Sequence, residues 1–327
     1  MLDWLSMPEG STSDWALTFV GLVLLLLAGD SLVKGAVNMS LRIGVPAFIV
    51  SLTIVALGTS APELLISIKA ILGGVPDLAL GNVVGSNIAN VLLVLGVPAI
   101  LSVMHTSGCN TRNSYMQMLG ATVLFIALAC RGAFDWIAGL ILLTALMGML
   151  IYAGLSAKRH RNACKITEID LDELEGVDPN LSWFKIILFL ALGLIGLPLG
   201  ASLLVDGASN IARSYNITEA VIGLTLVAIG TSLPELATTV VAALRKQADV
   251  ALGNVIGSNM FNLLGIIGVA SLVGPIPVSA NFFAFDFWVM FAATLILVPF
   301  VFFKLDLTRI WGVLLASLYF IYMIMVL

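Results

Sequence analysis

The stretch VALGTSAPEL at Val55–Leu64 returns as VAIGTSLPEL at Val227–Leu236, with eight of ten positions identical. DLALGNVVGSNIAN at Asp77–Asn90 returns as DVALGNVIGSNMFN at Asp249–Asn262, with ten of fourteen identical. Both recurrences share one offset of 172 residues, so no gap separates their frames. Chance likeness between apolar segments would match Leu, Val and Ile. Here the matches include Gly, Thr, Ser, Pro, Glu and Asn. The chain therefore reads as one unit present twice.

What the unit is follows from composition. Of 327 residues, 60% are hydrophobic and 10% charged, where a soluble domain carries about a quarter charged. No soluble core hides that much apolar surface, so the chain is expected in a lipid bilayer. A helix needs about 20 apolar residues to cross. Apolar runs between Gly, Pro and polar breaks predict ten spans, near 16–41, 45–72, 78–103, 115–131, 134–155, 184–212, 217–244, 248–274, 283–303 and 308–326. Barrel-type alternation is absent, which leaves helices as the spanning option. Five spans per copy is an odd number, so the second copy enters from the opposite side. The expected fold is an all-α polytopic membrane protein with ten transmembrane helices in two inverted five-helix repeats. The first repeat covers 1–155, with its motif region at 55–95. A linker at 156–183 follows, and the second repeat covers 184–327, with its motif region at 227–267.

Lys and Arg set the orientation. With the N-terminus outside, twelve of the 15 fall at cytoplasmic ends, leaving only Lys69, Arg131 and Arg213 outside. The same count places the C-terminus outside and the acidic linker in the cytoplasm, as a solvated connector whose carboxylates lack EF-hand spacing. The first fifteen residues have no basic region and no AxA-like cleavage site, so a removed signal peptide is not expected. Cys109, Cys130 and Cys164 are scattered, without zinc or disulfide spacing. No basic tract calls for nucleic acid, and nothing in the sequence points to an obligate protein partner.

The chemistry lies in the motifs. Glu63 is a carboxylate inside a span, where a charge costs about 2.5–3.5 kcal/mol on insertion scales. Thr59 precedes it by four residues and shares its helix face. Pro62 cannot donate to the Gly58 carbonyl and disturbs the turn before it, while Gly58 lets the backbone loosen. The helix is thus expected to break at depth, with carbonyls around Ala56–Thr59 partly free for a hard cation. Gly230, Thr231, Pro234 and Glu235 repeat this in the second copy. Asn82, Ser86 and Asn90 form a polar stripe at i, i+4 spacing, and Asn254, Ser258 and Asn262 repeat it. Gly81 with Gly85, and Gly253 with Gly257, are small-xxx-small pairs expected to permit close helix approach. All these groups offer oxygen, and no His or Cys joins them, which argues against zinc, copper or iron. Asp30 and Lys34 are spaced to neutralise each other, and Asp77 and Asp249 are placed to cap helices.

GTSAPE and GTSLPE, followed by GNVVGSN and GNVIGSN, resemble the α-repeats of the sodium/calcium exchanger family, and the short linker resembles prokaryotic members. The resemblance covers nearly the whole chain and implies a multi-pass plasma-membrane antiporter, in the prokaryotic inner membrane. It implies Glu63 and Glu235 as central calcium ligands, completed by the carbonyls of Thr59 and Thr231. It also implies flanking sodium sites from the Ala56 and Ala228 carbonyls, the Thr59 and Thr231 side chains, Ser60, Ser232, Ser86, Ser258, Asn90 and Asn262. Family members often carry Asp at one position matching Asn90 or Asn262. Here both are Asn, which argues against potassium coupling.

Charge supplies the exchange logic. Two empty carboxylates leave a site of charge −2 that is expensive to carry through closure at low dielectric. One calcium or two sodium ions neutralise it. The expected activity is Ca2+/Na+ antiport by alternating access around a mid-membrane site, with no cofactor, the first and sixth spans moving and GLPLG near Pro198 as a flex point. A calcium/proton antiporter of the same superfamily is the alternative. A cation channel fits less well with an internal repeat, and an intramembrane hydrolase lacks a motif base. The chain is not expected to be an enzyme.

Overall fold

Apolar segments close all their backbone hydrogen bonds internally only as helices, and most of the described residues are helical. The computed structural model describes residues 9–105, 111–163, 178, 181–215 and 228–326. In chain order, α1 is Glu9–Ile43, α2 Ala47–Thr59, α3 Ala61–Leu72, α4 Pro76–Leu101, α5 Arg112–Ala129 and α6 Trp136–Ala163. Then come α7 Trp183–Ser214, the single turn α8 Ala228–Thr231, α9 Leu233–Leu244, α10 Ala248–Val273, α11 Phe282–Phe302 and α12 Arg309–Val326.

Among the described residues, seven helices are long and apolar enough to cross a membrane: α1, α4, α6, α7, α10, α11 and α12. The pair α2 and α3 makes an eighth crossing bent by 41°. Of the other two expected spans, α5 has 18 residues, and its first turns carry Arg112, Asn113, Ser114 and Gln117. The span 217–244 is represented by α9, and its residues 217–227 lie outside the described residues. So does most of the linker, 164–177 and 179–180.

The offset of 172 recurs in the backbone. Helices α3 and α9 begin and end 172 residues apart. Left-handed backbone occurs at Gly74 and Lys246, and again at Gly132 and Lys304; each pair is separated by 172. A lysine there carries a Cβ that glycine lacks, at roughly 1–2 kcal/mol, so the turn geometry is kept where the residue has changed. Among the described residues, extended pairing is confined to the antiparallel pair Ala133–Phe134 with Ile276–Pro277 and a bridge between Met104 and Leu307. These pairings satisfy backbone groups where the chain leaves its helices.

Helices α4 and α10 form the centre: 83% of the apolar window of each is buried, against 22–33% for α1, α6, α7, α11 and α12. Helix α1 packs along α7. A Cβ on Gly200 would stand 2.8 Å from the Leu25 nitrogen, and one on Gly35 2.8 Å from Leu190 Cγ. Helix α7 runs through Pro198 without interruption. Of the two small-xxx-small pairs, Gly253 and Gly257 do lie against the backbone of α2 at Phe48–Leu52. Gly81 and Gly85 meet no described backbone within 4 Å; the segment that the offset would set beside them lies outside the described residues.

Candidate ion-binding site

The site begins with a break that proline imposes. Helix α2 ends at Thr59, Ser60 leaves helical geometry at φ −84° and ψ 4°, and α3 starts at Ala61 with Pro62 in its first turn. The second copy breaks identically at Ser232, φ −90° and ψ 4°, with Pro234 in the first turn of α9. Each break creates a new helix N-terminus at depth, and Glu63 and Glu235 stand in those first turns. Free N–H groups and the helix dipole favour negative charge there. This part of the design went unread in the sequence, though the Pro-Glu dipeptide signals it.

Both glutamates are 1% exposed. Ser60 Oγ donates to Glu235 Oε1 at 3.3 Å, joining residues 175 apart. Thr59 Oγ1 lies 3.3 Å from both the Ala56 carbonyl and Asn254 Oδ1. Asn90 Nδ2 donates to Asn259 Oδ1 at 3.0 Å, and Asn259 Nδ2 to the Asn87 carbonyl at 3.5 Å. Asn87 and Asn259 are themselves 172 apart, so equivalent positions of the two copies meet.

Among the described residues, ten buried side-chain polar atoms have no hydrogen-bond partner. Seven belong to sequence-predicted site residues: Glu63 Oε2, Asn90 Oδ1, Ser232 Oγ, Glu235 Oε2, Ser258 Oγ and both polar atoms of Asn262. An unsatisfied buried polar group costs about 1–3 kcal/mol, so this concentration needs a reason. Six of the seven are oxygens, the donor set of a hard cation. Groups of three or more His, Cys, Asp or Glu fit for a transition metal are absent among the described residues.

Other predicted positions fall around this centre. Ser258 lies on the part of α10 that packs on Ala56–Thr59, and the π-helical turn Phe261–Ile266 with Asn262 packs on α3. Ser86 and Thr231 line a cavity of about 570 Å³ together with Asn82. Ala228 opens α8. The Ala56 carbonyl, expected to be partly free, accepts the Ser60 N–H at 3.1 Å as well as facing the Thr59 hydroxyl. Gly58 and Gly230 admit α7 through Leu194 and Val205 respectively.

Two expectations outside the site need amendment. Asp77 and Asp249 cap nothing. The caps are Val75 and Gln247, and the aspartates sit inside the first turns of α4 and α10, acting through the dipole. Asp30 pairs with Lys34 at 2.9 Å as expected, but it also accepts from Arg245 Nε at 2.7 Å. Nothing local in the sequence signals that partner at the end of α9.

A family model described as sodium/calcium exchanger protein matches residues 13–155 and again 185–327. The chain belongs to the sodium/calcium exchanger family. It is 38% identical to the putative antiporter CaxA of Alkalimonas amylolytica, over 85% of this chain and 86% of that one. It is 34% identical to the sodium/calcium exchanger MaX1 of Methanosarcina acetivorans, over 94% and 97%. The inner membrane protein YrbG of Escherichia coli is 34% identical over 86% of each chain. A solved structure of the sodium-calcium exchanger NCX_Mj soaked with zero Na+ and Ca2+ superposes with a TM-score of 0.82 at 32% identity, covering 97% of this chain and all of that one. As a member of this exchanger family, the chain is a multi-pass membrane transporter of cations. The two family matches are also 172 residues apart.

Proposed function

We propose that this family member exchanges Ca2+ for Na+ by alternating access around a site that holds Glu63 and Glu235 and is shared by two inverted five-helix repeats. One observation carries the reading. Six of the eight unpartnered buried side-chain oxygens among the described residues lie on both glutamates, Ser232, Ser258, Asn90 and Asn262, and so come from both halves of the chain. Two carboxylates with neutral oxygens suit calcium, which takes 6–8 oxygens. Two sodium ions cancel the same charge, so either load permits a low-dielectric closure that the bare site resists. The likeness to MaX1 and NCX_Mj supports these two ions. We place the N- and C-termini outside and the linker of 156–183 inside a prokaryotic inner membrane, on the distribution of Lys and Arg.

Purified protein in vesicles tests this by calcium uptake under imposed sodium, proton and potassium gradients, each alone. Uptake is expected with an outward sodium gradient and is lost in Glu63→Gln and in Glu235→Gln, both of which stay folded. Uptake driven by protons and indifferent to sodium would replace the coupling ion. Full exchange in both variants would remove the site.

A further inference from the structure

Two asparagines outside the ligand set take the same part in each copy. Asn82 Nδ2 donates at 3.3 Å to the Glu63 carbonyl and, as an alternative acceptor at the same distance, to Ser67 Oγ. Asn254 Nδ2 donates to Thr239 Oγ1 at 3.4 Å, and Thr239 Oγ1 donates to the Glu235 carbonyl at 2.7 Å. In both copies the amide on α4 or α10 reaches a hydroxyl fifteen residues earlier. In both it is bonded, directly or through that hydroxyl, to the carbonyl of the glutamate.

Asn254 does one thing more. Its Oδ1 faces Thr59 Oγ1 from the other half of the chain. A hydroxyl has one proton and two lone pairs. With the Thr59 proton directed at Asn254 Oδ1 or the Ala56 carbonyl, both lone pairs of Oγ1 stay available to a cation. Asn254 is 0% exposed, and Thr239 likewise, so neither group reaches bulk water.

We propose that Asn82 and Asn254 are positioning residues for the exchange site: each fixes a glutamate-bearing helix start, and Asn254 also orients the Thr59 hydroxyl toward the ion. This rests on the proposed ion site. It assigns to the amides the work that outer groups do at metal centres, where their loss costs about 10–100-fold in affinity.

The test is calcium binding by calorimetry on the purified full chain without sodium, with melting temperatures read in parallel. Asn254→Ala and Thr239→Val are each expected to raise the calcium dissociation constant by about 10–100-fold. In the double variant the losses should not add, because both break one chain of bonds. Thr239→Ser, which keeps the hydroxyl, should restore the affinity. Thr239→Val carries the test alone if Asn254→Ala does not fold. Folded Thr239→Val protein with unchanged calcium affinity, whatever its melting temperature, overturns the proposal and leaves only helix packing. Absence of calcium binding by the unaltered chain would instead overturn the exchange reading on which it rests.

Discussion

Gly257 is where packing and ion binding meet most directly. A Cβ at this position on α10 would stand 2.6 Å from Ala56 Cβ and 2.9 Å from the Leu52 carbonyl carbon, with the Leu52 oxygen closer still. Carbon atoms rest at about 3.5–4.0 Å, so Gly257→Ala needs roughly 1 Å of extra room. The obstructing atoms are backbone or Cβ, and none can rotate away. Helix α2 must therefore recede, at about 1–3 kcal/mol for overpacking, and it carries Ala56 and Thr59 with it. Calcium–oxygen distances span only about 2.3–2.6 Å, so an oxygen moved by about 1 Å leaves the coordination shell. We expect a 10–100-fold weaker calcium affinity, about 1.4–2.8 kcal/mol at 1.4 kcal/mol per tenfold, measured by calorimetry. Gly148→Ala on α6, where an added Cβ meets nothing described within 4 Å, is the control and should bind normally. Folded Gly257→Ala protein within twofold of the unaltered affinity would refute the reasoning.

Three further perturbations probe separate parts of the molecule. Arg245→Ala removes the ion pair that joins Asp30 of α1 to the end of α9. With Asp30 29% exposed, the loss should fall near 1–2 kcal/mol, between the surface and buried limits. It should lower the melting temperature and change the maximal uptake rate at constant calcium affinity; unchanged rate and melting together would exclude a role for the pair. Asn262→Asp adds a third carboxylate beside the packed face of α3. Like charges in a dry site cannot all ionise, so calcium affinity should gain a dependence on pH of up to about one decade per unit, and an unaltered pH profile would contradict this. Outside the membrane, the Ala138 N–H at 2.8 Å and Arg131 hold the Asp135 carboxyl below the usual carboxylate range. Because the folded value is depressed, the stabilisation is present above the usual range and is lost as pH falls through the folded value. Asp135→Ala should thus lower the melting temperature at neutral pH, with the difference from the unaltered chain vanishing in acid.

Much of the site is legible in the sequence. Pro62 and Pro234 lack an N–H wherever the chain goes, so breaks near Ser60 and Ser232 are expected from the sequence, although Pro198 leaves α7 continuous. The contact between Asp30 and Lys34 needs only a helix, since i and i+4 always share a face. Capping by Asp77 and Asp249 was misjudged because a helix start depends on one or two residues, and Pro76 and Ala248 already lie inside. Gly253 and Gly257 make the close approach expected of a small-residue pair, while Gly81 and Gly85 meet no described backbone within 4 Å, because the facing helix decides whether such a pair is used.

What the sequence determined by itself is the repeated unit, its membrane habitat and the residue types at the breaks. Gly, Thr, Ser, Pro, Glu and Asn are not interchangeable with Leu or Val in lipid, so their return at one offset reports a constraint that composition cannot hide. Tertiary structure alone decided which groups meet across that offset: Ser60 with Glu235, Thr59 with Asn254, Asn90 with Asn259 and Asp30 with Arg245. The rotation and crossing of packed helices choose such partners, and a change of a few ångströms in either selects a different pair while every local pattern stays the same.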